Sequence, residues 1–135
     1  MTLDQNKILA AVVERILPSE DGPGAMDANV MGFFEWAARQ EFFRAQGKRV
    51  ASGLQFIDSL AILRYGHGFA ACSSSDRDAL LVEIATVPHQ AARQFFLTLI
   101  DLTLIGFLSD PKYGGNEHLV GWAHINFELR SPDLT

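Results

Sequence analysis

Between Phe95 and Leu108 the chain reads Phe-Phe-Leu-Thr-Leu-Ile-Asp-Leu-Thr-Leu-Ile-Gly-Phe-Leu, and its apolar residues fall on every side of a helix. A helix that is apolar all round must be surrounded, so the rest of the chain has to cover it. The run is about 14 residues long with Asp101 in its middle, short of the roughly 20 needed to span a bilayer. It therefore reads as the central helix of a bundle. Val87-Pro88 sets its start, because proline suits a first helical turn, and from there to Leu108 the helix is roughly 30 Å long.

The covering elements are legible as further helices. Ile8, Leu9, Val12, Val13, Ile16 and Leu17 line one side of a helix that a Thr2/Gln5 capping box opens and Pro18 closes. A second helix is expected from an N-cap at Asp27 to about Phe43, with Val30, Phe33, Phe34, Ala37 and Ala38 inward and a break at Gln46-Gly47-Lys48. A third carries Val50, Leu54, Ile57, Leu60 and Ala61 and stops near Tyr65, before Gly66-His67-Gly68. Ser75 is placed to cap a fourth through Asp76, Leu80, Leu81 and Ile84. No strand-like alternation of useful length interrupts them. At 135 residues and 48% hydrophobic content, the chain supports one core. The expectation is all-α: a single domain over residues 1–135, a bundle of five or six main helices with an irregular Gly-rich C-terminal loop.

That loop runs from Ser109 to Trp122. Pro111 ends the apolar helix and pushes Asp110 out of helical geometry, and Gly114-Gly115-Asn116 then offers positions that tolerate positive φ. Leu119, Val120 and Trp122 bring apolar bulk straight after the turn. The loop is expected to be pinned to a surface of this protein or of a partner.

Together with Ile16-Leu17-Pro18, Asp21 and Pro23-Gly24-Ala25, the Tyr113-Gly-Gly-Asn116 and Gly121-Trp122 elements resemble the gluconate 2-dehydrogenase subunit 3 family, the small or gamma subunits of flavin-dependent sugar dehydrogenases. The resemblance extends from about Leu9 to Phe127. It implies a helical, non-catalytic accessory protein that binds a large flavin-containing catalytic subunit and helps it mature or be exported. It also implies no cofactor in this chain, FAD in the partner, and an iron–sulfur cluster as a second candidate there. Many members begin with a twin-arginine export signal. The N-terminus here has no arginine pair or apolar signal core, which points to the cytoplasm; a removed signal, or export together with the partner, points to the periplasm.

Searching the residues for chemistry yields little. There is no dinucleotide or phosphate-loop glycine motif and no nucleophile elbow. A net charge of −5 argues against nucleic acid, and the one basic cluster, Arg44, Lys48 and Arg49, reads as a solvated helix end. Cys72 is the sole cysteine, which excludes an internal disulfide and a cysteine-built cluster, and it reads as inert. His118 and His124 would need Glu117 or Asp110 to complete a metal site. Asp101 is expected in a buried ion pair, with Arg64 or Arg93, or as a cap for another helix; the functional alternative is contact with a partner.

Two functions follow. The first is the accessory subunit, its interface formed by Tyr113, Gly114, Gly115, Asn116, Leu119 and Trp122, with Pro23, Gly24 and Ala25 as a second contact; the same residues also suit an internal clasp. The second is a self-contained helical enzyme or small-ligand binder with a pocket near Tyr113, His118 and His124. Adjacent rings at Phe33-Phe34, Trp36, Phe42-Phe43 and Phe95-Phe96 favour the first, since one helix face cannot bury them all.

Overall fold

The computed structural model describes residues 2–20 and 22–123. Among the described residues lie five full α-helices, α1 (Leu3–Ile16), α2 (Val30–Ala38), α3 (Arg44–Tyr65), α4 (Ser74–Thr86) and α5 (Gln90–Leu108), with short 3-10 turns at Glu41–Phe43 and Phe69–Ala71 between them and at Pro111–Tyr113 and Glu117–Leu119 after α5. Among the described residues there is no strand. The all-helical expectation therefore holds.

Local chemistry explains most boundaries. The Thr2 hydroxyl accepts from Gln5 N–H while the Gln5 side chain accepts from Thr2 N–H, so α1 opens on the expected capping box. Gly66, in left-handed geometry, closes α3. Ser73 rather than Ser75 caps α4, accepting from Asp76 N–H. At α5 the cap is His89, whose Nδ1 accepts from Ala92 N–H, so the helix begins two residues after Pro88.

The second helix departs further from expectation. Asp27 does not cap it; its carboxylate instead accepts from Gly24 N–H at 2.7 Å and from the Ser19 hydroxyl, and Asn29 in left-handed geometry precedes α2. The helix then stops at Ala38 instead of continuing to Phe43. Gly47 breaks nothing, because it lies in the first turn of α3, exposed and with open space where a Cβ would stand.

Leu9, Val12, Val13, Val30, Phe33, Leu54, Ile57, Phe69, Leu80, Ile84 and Leu99 form the heart of the core. Helix α5 packs against each of the other four. It is the hub, but it is not enclosed. Phe95, Leu99, Leu102 and Phe107 are buried, whereas Leu97, Leu104 and Ile105 lie 59%, 42% and 44% exposed. Asp101 is exposed too, which corrects the expected buried pair. Arg64 is engaged elsewhere, by the Glu83 carboxylate at 2.9 and 3.2 Å.

The aromatic surplus is also largely absorbed. Phe33 and Phe34 are buried, and Trp36, Phe43 and Tyr113 interlock beside them, with Trp36 and Tyr113 ring centres 4.8 Å apart. Only Phe42 of that run stands open, at 82% exposure.

Candidate functional site

The two glycine-bearing motifs, about ninety positions apart in sequence, meet at one end of the bundle. Leu17 cannot extend α1 into Pro18, so its carbonyl is free to accept from Ala25 N–H at 2.8 Å. That bond, with the Asp27 carboxylate on Gly24 N–H, brings Gly24 and Ala25 back against the end of α1. Gly24 is buried there against the backbone of Leu17 to Ser19, with no room for a side chain, and Ala25 is buried completely. The C-terminal loop then docks on the same segment: Glu117 N–H donates to Ala28 O at 3.0 Å, and Asn29 Nδ2 donates to the Glu117 carboxylate at 3.0 Å.

Asn116 holds the loop together. It is fully buried at φ 51°, and its amide reaches both ways. Nδ2 donates to Ser109 O at 2.8 Å, while Oδ1 accepts from Gly121 N–H at 2.7 Å and Trp122 N–H at 3.3 Å. One side chain thus satisfies a carbonyl just past α5 and caps the helical stretch that begins at Val120 and is described to Ala123. The Trp122 indole N–H donates to Leu108 O, meeting another orphan carbonyl of the same helix end.

Gly115 and Gly121 make this closure possible. A Cβ on Gly115 would overlap the Gly106 carbonyl, and one on Gly121 the Phe107 carbonyl. Gly114 also faces Gly32 of α2 backbone to backbone, less tightly but still without room for a Cβ, with φ at 98°. Left-handed geometry then continues at His118 (φ 58°) and Leu119 (φ 59°), unfavourable for a leucine and sustained here by the bonds on either side.

Of the expected interface residues, Gly24, Ala25, Gly115 and Asn116 are buried and present no side chain outward. Pro23, Tyr113 and Gly114 are half-buried, Tyr113 on Trp36 and under the Lys112 ammonium, which lies 4.9 Å from its ring centre. Leu119 and Trp122 remain open, at 44% and 41%. Met26 joins them at 46%, a surface residue that sequence reasoning missed because no periodicity marks it. The motif is thus a clasp on its inner side, with an apolar rim outside.

His118 is 84% exposed in its side chain, 3.5 Å from Glu117, and His124 lies outside the described residues. Among the described residues no three His, Cys, Asp or Glu side chains gather in a metal-binding group. Cavities of about 380, 340 and 500 Å³ lie away from His118: between α2 and α3 over Phe34 and Leu102, between α3 and α5 beside Phe56 and His89, and along α4 and α5 beside Val82 and Ile100. Cys72 is buried with its Sγ 3.4 Å from Gly68 O, and burial pushes its thiol up from the ordinary value.

A profile of the family described as Gluconate 2-dehydrogenase subunit 3 matches residues 3–128. The chain belongs to that family. Its members are accessory subunits of a dehydrogenase complex, which implies a catalytic partner for this chain. Comparison with individual curated proteins and with solved structures returned no match.

Proposed function

We propose that this chain is a non-catalytic subunit that binds and stabilises, or helps mature, the flavin-containing catalytic subunit of a sugar or polyol dehydrogenase. FAD and the redox chemistry belong to the partner. Beyond family membership, one observation carries this reading: the family's glycine and asparagine motifs spend their polar groups on a clasp, while Met26, Leu119 and Trp122 are held outward in fixed geometry. A backbone already held in place loses little freedom on contact, which is one way binding surfaces gain affinity.

Co-expression with a candidate flavin-containing catalytic subunit, followed by untagged purification, tests this directly. A stable complex with flavin absorbance is expected, and catalytic subunit made alone should be poorly soluble or low in flavin. Full flavin loading and activity without this chain would overturn the proposal.

A further inference from the structure

The outward side of α5 is unlike an ordinary solvated helix face. Leu97, Asp101, Leu104, Ile105 and Leu108 follow the i, i+4, i+7, i+8, i+11 spacing that aligns side chains in one stripe, about 16 Å long. Leu97, Leu104 and Ile105 are each more than two-fifths exposed. Beside them runs the 500 Å³ groove lined by Val82, Ala85, Phe96 and Leu104 together with the Arg15–Asp78 ion pair, with Val82 itself 61% exposed. At its C-terminal end the stripe reaches Leu108, whose carbonyl holds the Trp122 indole, so it runs into the apolar rim of the clasp. Single exposed leucines are ordinary; three along one helix face, flanked by an exposed valine and interrupted only by Asp101, form the kind of patch that binding surfaces use.

Asp101 dictates what can cover it. A carboxylate covered by apolar surface alone would lose its water and gain nothing. Among the described residues Asp101 makes no ion pair, and Arg15 and Arg64 are held by Asp78 at 2.8 Å and Glu83 at 2.9 Å. Arg93 shares the face but sits eight positions earlier, about 12 Å along the axis. A partner surface that covers Asp101 has to bring a cation to it, set among apolar residues. A long lysine or arginine stem on an amphipathic helix meets both demands.

We propose that the α5 stripe from Leu97 to Leu108 seats an amphipathic helix of the catalytic subunit that places a lysine or arginine against Asp101. The inference rests on the accessory-subunit reading above and names the surface it uses. Although α5 is long and apolar enough to cross a bilayer by composition alone, a central carboxylate and a net charge of −5 oppose an anionic membrane surface.

A photo-reactive benzoylphenylalanine at position 104, in the full chain co-expressed with the catalytic subunit, provides the test, with the same group at the 74% exposed Leu63 of α3 as control. Position 104 should cross-link to a catalytic-subunit helix within one turn of a lysine or arginine, and position 63 should not. Asp101→Lys, a surface change expected to leave the melting curve in place, should lower complex recovery at least tenfold, and an acidic replacement of the partner's cation should restore it. If the complex forms but cross-links only from position 63, or if Asp101→Lys binds as well as the unaltered chain, this surface is wrong and the accessory-subunit reading stands. If the unaltered chain retains no catalytic subunit, that reading falls and the inference with it. Binding of the lone chain to phosphatidylglycerol vesicles, abolished by Leu104→Glu, would assign the stripe to a membrane instead.

Discussion

Replacing Asn116 by alanine is the sharpest probe of the clasp, because the side chain is fully buried and every polar atom on it is used. The substitution strands the Ser109 carbonyl and the Gly121 N–H, and a buried backbone group left without a partner costs about 1–3 kcal/mol. The longer bond from Trp122 N–H, at 3.3 Å, adds less. Alanine at φ 51° also loses the tolerance for left-handed geometry that asparagine has, roughly 1 kcal/mol more. The sum is about 4 kcal/mol, a large share of the 5–15 kcal/mol typical of a domain, or a fall in Tm on the order of 15 °C.

Urea unfolding followed by circular dichroism measures that loss, and a second variant separates its causes. Asn116→Gly forfeits the same three hydrogen bonds but accepts positive φ, so it should cost about 1 kcal/mol less than alanine. Amide exchange at Gly121 and Trp122 should accelerate in both variants while the core of α1 stays protected. If Asn116→Ala lies within about 0.5 kcal/mol of the unaltered protein, the loop is not held as argued. If glycine costs more than alanine, the backbone part of the reasoning fails.

Trp122→Phe keeps most of the exposed apolar area and removes only the donor to Leu108 O, so it should cost about 1 kcal/mol of stability yet leave complex recovery near normal; Trp122→Ala should lose both, and a co-purification series with matched melting curves shows the difference. The bidentate Arg15 guanidinium holds the Asp78 carboxyl below its usual range, so the pair's contribution is present above that range and is lost as pH falls through the lowered value. Because Asp78 is half exposed, Asp78→Asn should cost only about 0.5–1 kcal/mol at neutral pH, with the difference from the unaltered protein shrinking in acid unfolding curves. The buried, upshifted Cys72 thiol should ignore a disulfide reagent at mildly alkaline pH until urea unfolds the chain; rapid labelling of the native protein would contradict its position.

What the sequence made legible divides along the range of the interactions involved. The Thr2/Gln5 box and the Gly66 stop depend on neighbours within four residues, and both stand where their local pattern places them. Asp27 also has the right local chemistry for a cap, but Gly24 and Ser19 claim its carboxylate in the chain reversal after Pro18, so α2 begins later behind Asn29. Gly47 reads as a breaker, yet one exposed glycine in a 22-residue helix costs only about 1 kcal/mol, which the packing of Val50, Leu54 and Ile57 outweighs. Apolar residues all round α5 announce that it should be covered; they carry no information on which side the described chain buries and which it leaves exposed. The same limit governs the loop. Glycine and asparagine announced close approach and positive φ, but the surfaces approached are Gly32, Gly106, Phe107 and Ala28, some of them dozens of residues away in sequence, and only folding brings them there. That is why Asn116, expected among the residues facing a partner, turns inward as the clasp, while Trp122, Leu119 and the Leu97, Leu104 and Ile105 stripe of α5 stay exposed.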